Sequence, residues 1–313
     1  MENILIVCLN SVLPLFLTMA VGFAARLAGI IGERDVSRMN AIAFKVFLPL
    51  MLFYNIYSSD ISYAVRPKLI GFTVGCVFVI FALCLGYVLL VEKDKSRQGV
   101  MIQGLYRSNF VIVGLPVAQA LMGDADLSVV AVLMAIVVPV FNILAVITLE
   151  VFRGNKVKPW KIFLEVLENP LLIGSVVGIL FVVFKIPLPG PVKTVVGNLA
   201  GIASPLMLFL LGAFFRFENM HGHVKELVQV CVGRLVIIPG IFLWISYLVG
   251  FKGVEFAALM TIFASSTSVS SFTMAQQMGG DAKLAGDIVV ITSVFCSLSF
   301  YLWSIIYKLL GVI

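Results

Sequence analysis

The sequence predicts an all-α polytopic membrane protein of ten transmembrane helices, arranged as five plus five with the second five inverted. Three observations point there. Hydrophobic residues make up 61% of the 313 and charged residues 12%, about half the charged share of a soluble domain. The segment Pro49-Leu50-Met51-Leu52-Phe53 recurs letter for letter as Pro205-Leu206-Met207-Leu208-Phe209, 156 residues later. Each copy of the repeat holds five apolar spans, an odd number, so the second copy enters the bilayer upside down.

The spans run approximately 4–27, 38–59, 68–91, 98–122 and 127–151, then 161–184, 193–215, 225–250, 254–278 and 284–310. The halves are 1–156 and 157–313. The first span opens with Glu2 and its apolar run outlasts a signal peptide, so it is expected to stay uncleaved. Its Pro14 and Gly22 return as Pro170 and Gly178 in the sixth. Ala118-Gln119 and Gly123-Asp124-Ala125 return as Ala275-Gln276 and Gly280-Asp281-Ala282. Asp124 and Asp281 are expected as turn or cap residues.

Lys and Arg set the orientation. Arg26, Arg34, Arg38, Lys93, Lys95 and Arg97 fall on one side, with most of the loop charge of the second half. That side is expected to be cytoplasmic, with both termini outside a cell membrane. The formal charge of +6 is spread over these loops, so the partner is the lipid bilayer and not a nucleic acid. The five cysteines lie in spans without a C-x-x-C pair, and His221 and His223 share one loop, expected as a solvated turn. No metal and no cofactor is expected.

The fourth span carries Arg107, Ser108 and Asn109, then Gly114 and Pro116 near its middle. Proline removes a donor and clashes with the preceding turn, so a break is expected at Gly114–Pro116. The ninth span holds Ser265, Ser266, Thr267, Ser268, Ser270, Ser271 and Thr273. Hydroxyls can satisfy backbone freed by a break or bind a guest. Three charges lie within spans: Lys45, Arg107 and Arg234. Asp287 lies a turn into the tenth span and is the candidate for ion coupling, alongside Lys45 and Arg234. Asn142, after Pro139, is a further polar candidate, with Asn55 and Gln119 weaker ones.

Arg107-Ser108-Asn109-Phe110 followed by Gly114-Leu115-Pro116 resembles the fourth-span motif of the auxin efflux carrier family, which includes plant auxin carriers and bacterial malate or malonate permeases. Pro14 with Gly22, Phe47-Leu48-Pro49 and Gly233-Arg234-Leu235 also fit its pattern, and the resemblance spans the chain. One departure stands out: the family often has proline in the ninth-span crossover, where this chain has only Ser and Thr.

The resemblance implies two crossing broken helices, similar to sodium/proton antiporters and bile-acid symporters. It also implies a scaffold of spans 1, 2, 6 and 7 that forms a homodimer, and a transport unit of spans 3–5 and 8–10. The function expected is secondary transport of small organic anions by alternating access where spans 4 and 9 cross. Arg107, Asn109, Gly114, Pro116, Asn142, Ser265, Ser266, Thr267, Ser268, Ser270 and Ser271 would bind the substrate. The alternatives are a sodium- or proton-coupled carrier with a different substrate, and a membrane sensor that moves nothing. No Ser-His pair or ligand set lies at membrane depth, so no catalytic residue is assigned.

Overall fold

The computed structural model describes residues 2–58, 66–110, 117–119, 121–122, 128–153, 159–216 and 222–313. Over these residues the chain is helical apart from connections and one isolated antiparallel bridge. The expected break residues Gly114 and Pro116, and Asp124 and His221, lie outside them.

The elements follow in order. Helix α1 is Glu2–Leu27; α2 (Glu33–Ile42) and α3 (Leu48–Tyr57) are joined by a wide π turn at Ala43–Phe47. Then come α4 (Pro67–Val91), α5 (Lys95–Tyr106), α6 (Ser128–Val151), α7 (Pro159–Leu167), α8 (Pro170–Val183) and α9 (Gly190–Phe214). Helices α10 (Val224–Val232) and α11 (Ile238–Leu248) flank a second π turn, Gly233–Ile237, before α12 (Gly253–Ala264), α13 (Ser270–Gln277) and α14 (Ala282–Leu309).

Six described helical segments are long and apolar enough to cross a bilayer: 33–57, 67–91, 128–151, 190–214, 224–248 and 282–309. Their outer faces are apolar too; Leu83, Leu90, Val195 and Leu302 are all exposed. Only hydrocarbon makes such a surface favourable.

The sixth span, expected as one run, is divided into α7 and α8. Asn169 supplies the reason: its side chain accepts from the Leu171 N–H at 3.0 Å, and Pro170 starts the new helix, where a missing N–H costs nothing.

Each π turn ends two residues before a proline. Leu48 N–H bonds Ala43 C=O ahead of Pro49, and Ile238 N–H bonds Gly233 C=O ahead of Pro239. Proline cannot serve the carbonyl four residues back, and the extra residue of a π turn relieves the clash. The carbonyl that Pro239 leaves is Leu235 O. It accepts from Ser299 Oγ at 2.7 Å and Trp303 Nε1 at 3.1 Å, both on α14. A neighbouring helix thus satisfies backbone that water cannot reach.

Helix α1 packs along α9, and α3 along α8. Glycine permits both contacts. A Cβ on Gly22 would stand 1.9 Å from Phe209 O, and one on Gly178 3.2 Å from Phe53 O. The two glycines are related by the repeat offset, and so are the two phenylalanines. Each half lends its glycine to the other half's phenylalanine.

Candidate functional site

Helix α5 starts on Asp94, whose carboxylate accepts from the Ser96 N–H and hydroxyl; these bonds hold its pKa below the ordinary value. The helix ends at Tyr106, and Arg107 turns extended. On the other side α12 ends at Ala264, Ser265 turns extended, and α13 begins at Ser270. The two interruptions meet. Ser108 and Thr267 form the antiparallel bridge, and Asn109 N–H donates to Ser266 O at 2.8 Å. Ser268 N–H reaches Arg107 O at 3.4 Å. The bridge and its flanking bonds replace some of the missing helical bonds, so less main chain is left bare.

Side chains seal the rest. Thr267 Oγ1 donates to Gly104 O at 2.7 Å, and Gln103 Nε2 to Ser271 O at 3.1 Å. From α14, Thr292 Oγ1 accepts from the Thr267 N–H and Cys296 Sγ from the Ser266 N–H, each at 3.2 Å. Within the described residues the fourth span is interrupted at Arg107–Asn109; the break expected at Gly114–Pro116 lies outside them. Ser108 and Asn109 are weak helix formers whose side chains compete for backbone groups, and pairing with the ninth-span segment fixes the interruption there.

Beside the crossing lies a cavity of about 50 Å³, room for a few waters. Arg107, Asn109, Asn142, Ser268 and Ser270 line it from one side, Asn55 and Ser204 from α3 and α9 on the other. Arg107 is buried, and its guanidinium donates to Asn142 Oδ1, to Gln103 Oε1 at 3.3 Å and to Met274 Sδ. Among the described residues no carboxylate pairs with it. Asn109 is also buried, and its Nδ2 has no acceptor among the described residues. The N-terminus of α13 adds partial positive charge at Ser270. A buried cation without a counter-ion, a buried amide without an acceptor and a helix N-terminus all ask for the same thing, an anionic oxygen.

The remaining candidates fall elsewhere. Ser265, Ser266 and Thr267 are fully buried in the crossing itself, and Ser271 is buried beside it; none lines the cavity. Lys45 is exposed on the outer face of the first π turn, away from the cavity. Gln119 is exposed as well. Arg234 is buried against main-chain carbonyls, and Asp287 against His223. Asp281 caps α14, as the sequence suggested, accepting from the Lys283 and Leu284 N–H groups.

His223 is a correction: it is no solvated turn but 5% exposed, with Nε2 at 2.6 Å from Asp287 Oδ2. The partner stands 64 residues away, beyond any local pattern. Sequence reasoning also passed over Asn40, on α2. Its Oδ1 accepts from Thr273 Oγ1 at 2.7 Å and its Nδ2 donates to Gln276 Oε1, both on α13. Gln103 was missed too, although an amide one turn before Arg107 was a visible hint.

The chain is similar to known proteins over most of its length. Residues 7–304 match the family model described as "Membrane transport protein". An "Uncharacterized transporter" of Methanothermobacter thermautotrophicus is 22% identical over 95% of this chain and 97% of its own. Another, of Methanocaldococcus jannaschii, is 23% identical over 94% of this chain and 97% of its own. A Rhizobium meliloti protein named "Putative malonate transporter" is 22% identical over 90% of each chain.

Proposed function

The chain belongs to the membrane transport protein family, that of the auxin efflux carriers, and from this premise we propose that it carries small organic anions across the membrane by alternating access. The observation that carries the reading is Arg107: a buried guanidinium facing a cavity without a carboxylate beside it. A carboxylate substrate is the missing counter-ion. Asn109 Nδ2 gives it a second donor, and Ser268 and Ser270 orient it.

The ten-span, inverted five-plus-five arrangement is part of this reading. Spans 4 and 9 are too short in each half to count as crossing helices because they are interrupted. The exchanged Gly–Phe contacts between α1 and α9 and between α8 and α3 support the repeat. In it, α1–α3 and α7–α9 form a scaffold that pairs with a second copy. The remaining helices move as the transport unit, and the cavity lies on the boundary between the two. At about 50 Å³ the cavity has to widen before a dicarboxylate enters, which is what movement of one unit past the other supplies. The distribution of basic residues over the loops supports an orientation with both termini outside.

Proton coupling is favoured over sodium by one observation, the buried His223–Asp287 pair at the start of α10 and α14, since burying an ionisable pair inside the protein is expensive without a purpose. Asp281 is the neighbouring charge, and Arg97 bridges it to Glu226.

The test is uptake into proteoliposomes of a labelled panel: malonate first, because one relative bears that name, then malate, indole acids and neutral and cationic controls. Imposed proton, sodium and electrical gradients separate the coupling modes. Accumulation of a carboxylate that competes with other carboxylates is expected. Uptake of the neutral or cationic controls alone would overturn the reading.

A further inference from the structure

Arg234 does not touch the cavity, yet it is the largest fully buried side chain among the described residues. Its hydrogen-bond partners are main-chain oxygens. Nε donates to Ser265 O at 2.8 Å and Nη2 to Ile262 O at 2.9 Å, while Nη1 makes long contacts to Leu105 O at 3.4 Å and Tyr106 O at 3.5 Å. Ile262 and Ser265 close α12, and Leu105 and Tyr106 close α5. Both half-helices therefore turn their negative C-terminal ends toward one guanidinium. Each end carries about half a negative elementary charge, so a single cation balances the pair.

The sequence delivers the side chain there through the π turn. One extra residue advances a helix by about 100°, and Arg234 is the second residue of the wide turn Gly233–Ile237. Gly233 lets that turn come close: a Cβ there would stand 2.4 Å from Leu105 Cδ2. Two of the oxygens that Arg234 holds, Tyr106 O and Ser265 O, immediately precede Arg107 in one segment and Ser266 in the other.

We propose that Arg234 is the positioning residue of the crossing, a tethered cation in a cage of carbonyls from both half-helices. Through those carbonyls it fixes Arg107, Asn109 and Ser268 at the cavity. Truncating it leaves a cage that accepts a free guanidinium ion. The effect on uptake rests on the anion-carrier reading; the effect on stability does not.

The experiment uses the full chain in nanodiscs and proteoliposomes. Arg234→Ala should unfold at lower temperature. Methylguanidinium should restore it, choline chloride at the same ionic strength should not, and wild type should respond to neither. In uptake, Arg234→Ala should raise the KM for malonate about tenfold, methylguanidinium should bring it back toward wild type, and Arg234→Lys should fall between. If Arg234→Ala does not fold alone, recovery of folded protein with methylguanidinium supports the cage, and no recovery overturns it. Wild-type stability and KM in Arg234→Ala, or no difference between methylguanidinium and choline, also overturns it. Absence of malonate uptake in wild type counts against the substrate reading alone, because the melting experiment still decides the cage.

Discussion

Ser108 and Ser265 stand 157 residues apart and touch side chain to side chain, Oγ to Oγ at 2.5 Å. That separation is the offset that relates Ala118-Gln119 to Ala275-Gln276, so the two serines are counterparts. The repeat thus meets itself at the crossing. The contact makes a direct prediction. With the native cysteines replaced, Ser108→Cys with Ser265→Cys should form a disulfide on mild oxidation, since the two Cβ atoms must already be near bonding range. Cleavage engineered at 154–158 should leave the halves joined until reductant is added. Halves that separate without reductant would remove the crossing from the account.

Arg107 and Asn109 should fail differently. Arg107→Gln keeps the bonds to Asn142 and Gln103 within reach but removes the charge, so carboxylate uptake should fall about a hundredfold with folding intact. Asn109→Ala deletes an amide whose Nδ2 is unpaired, so stability should hold or rise while uptake is lost. Labelled uptake and melting on the same preparations check both. An Asn109→Ala protein that transports normally would take Asn109 out of the site.

The site was legible in part, for physical reasons. The hydroxyl run of 265–273 marked the ninth-span break, because seven competing side chains in nine residues weaken a helix wherever they stand. The interruption at Arg107–Asn109 carries a weaker sign, two such residues, Ser108 and Asn109, and the pairing of Asn109 with Ser266 fixes it. The abundance of apolar helices followed from composition, and the cap at Asp281 from its place before a predicted span. The partners of Asn40 and His223 did not, because each lies on a helix distant in sequence and hydrogen bonding across such distances leaves no period to read.

Asn40 joins α2 to α13 through Thr273 and Gln276, and in the proposed mechanism these helices move against one another. The bonds are buried, so they hold the present arrangement. Asn40→Ala leaves Thr273 Oγ1 without that acceptor, a loss of about 1–3 kcal/mol from this state. Melting temperature should fall. Labelling of Ser204→Cys, on the cavity wall, by a membrane-impermeant thiol reagent should speed up as other states become populated. Unchanged labelling would show that the bond stabilises the fold without holding a state.

The glycines of the helix contacts separate sequence equivalence from structural equivalence. Gly22 and Gly178 are counterparts, but an added methyl at Gly22 meets Phe209 O at 1.9 Å, whereas at Gly178 the nearest atoms are at 3.2 Å. A backbone oxygen cannot swing aside as a side chain can. Gly22→Ala must therefore push α1 from α9, at a cost of about 1–3 kcal/mol. Gly178→Ala needs only a few tenths of an ångström from α3 and gains from a more restricted unfolded chain, so it should be near neutral. Thermal unfolding in one detergent orders the two variants against wild type. A larger drop for Gly178→Ala than for Gly22→Ala would mean that the two contacts are not packed as described.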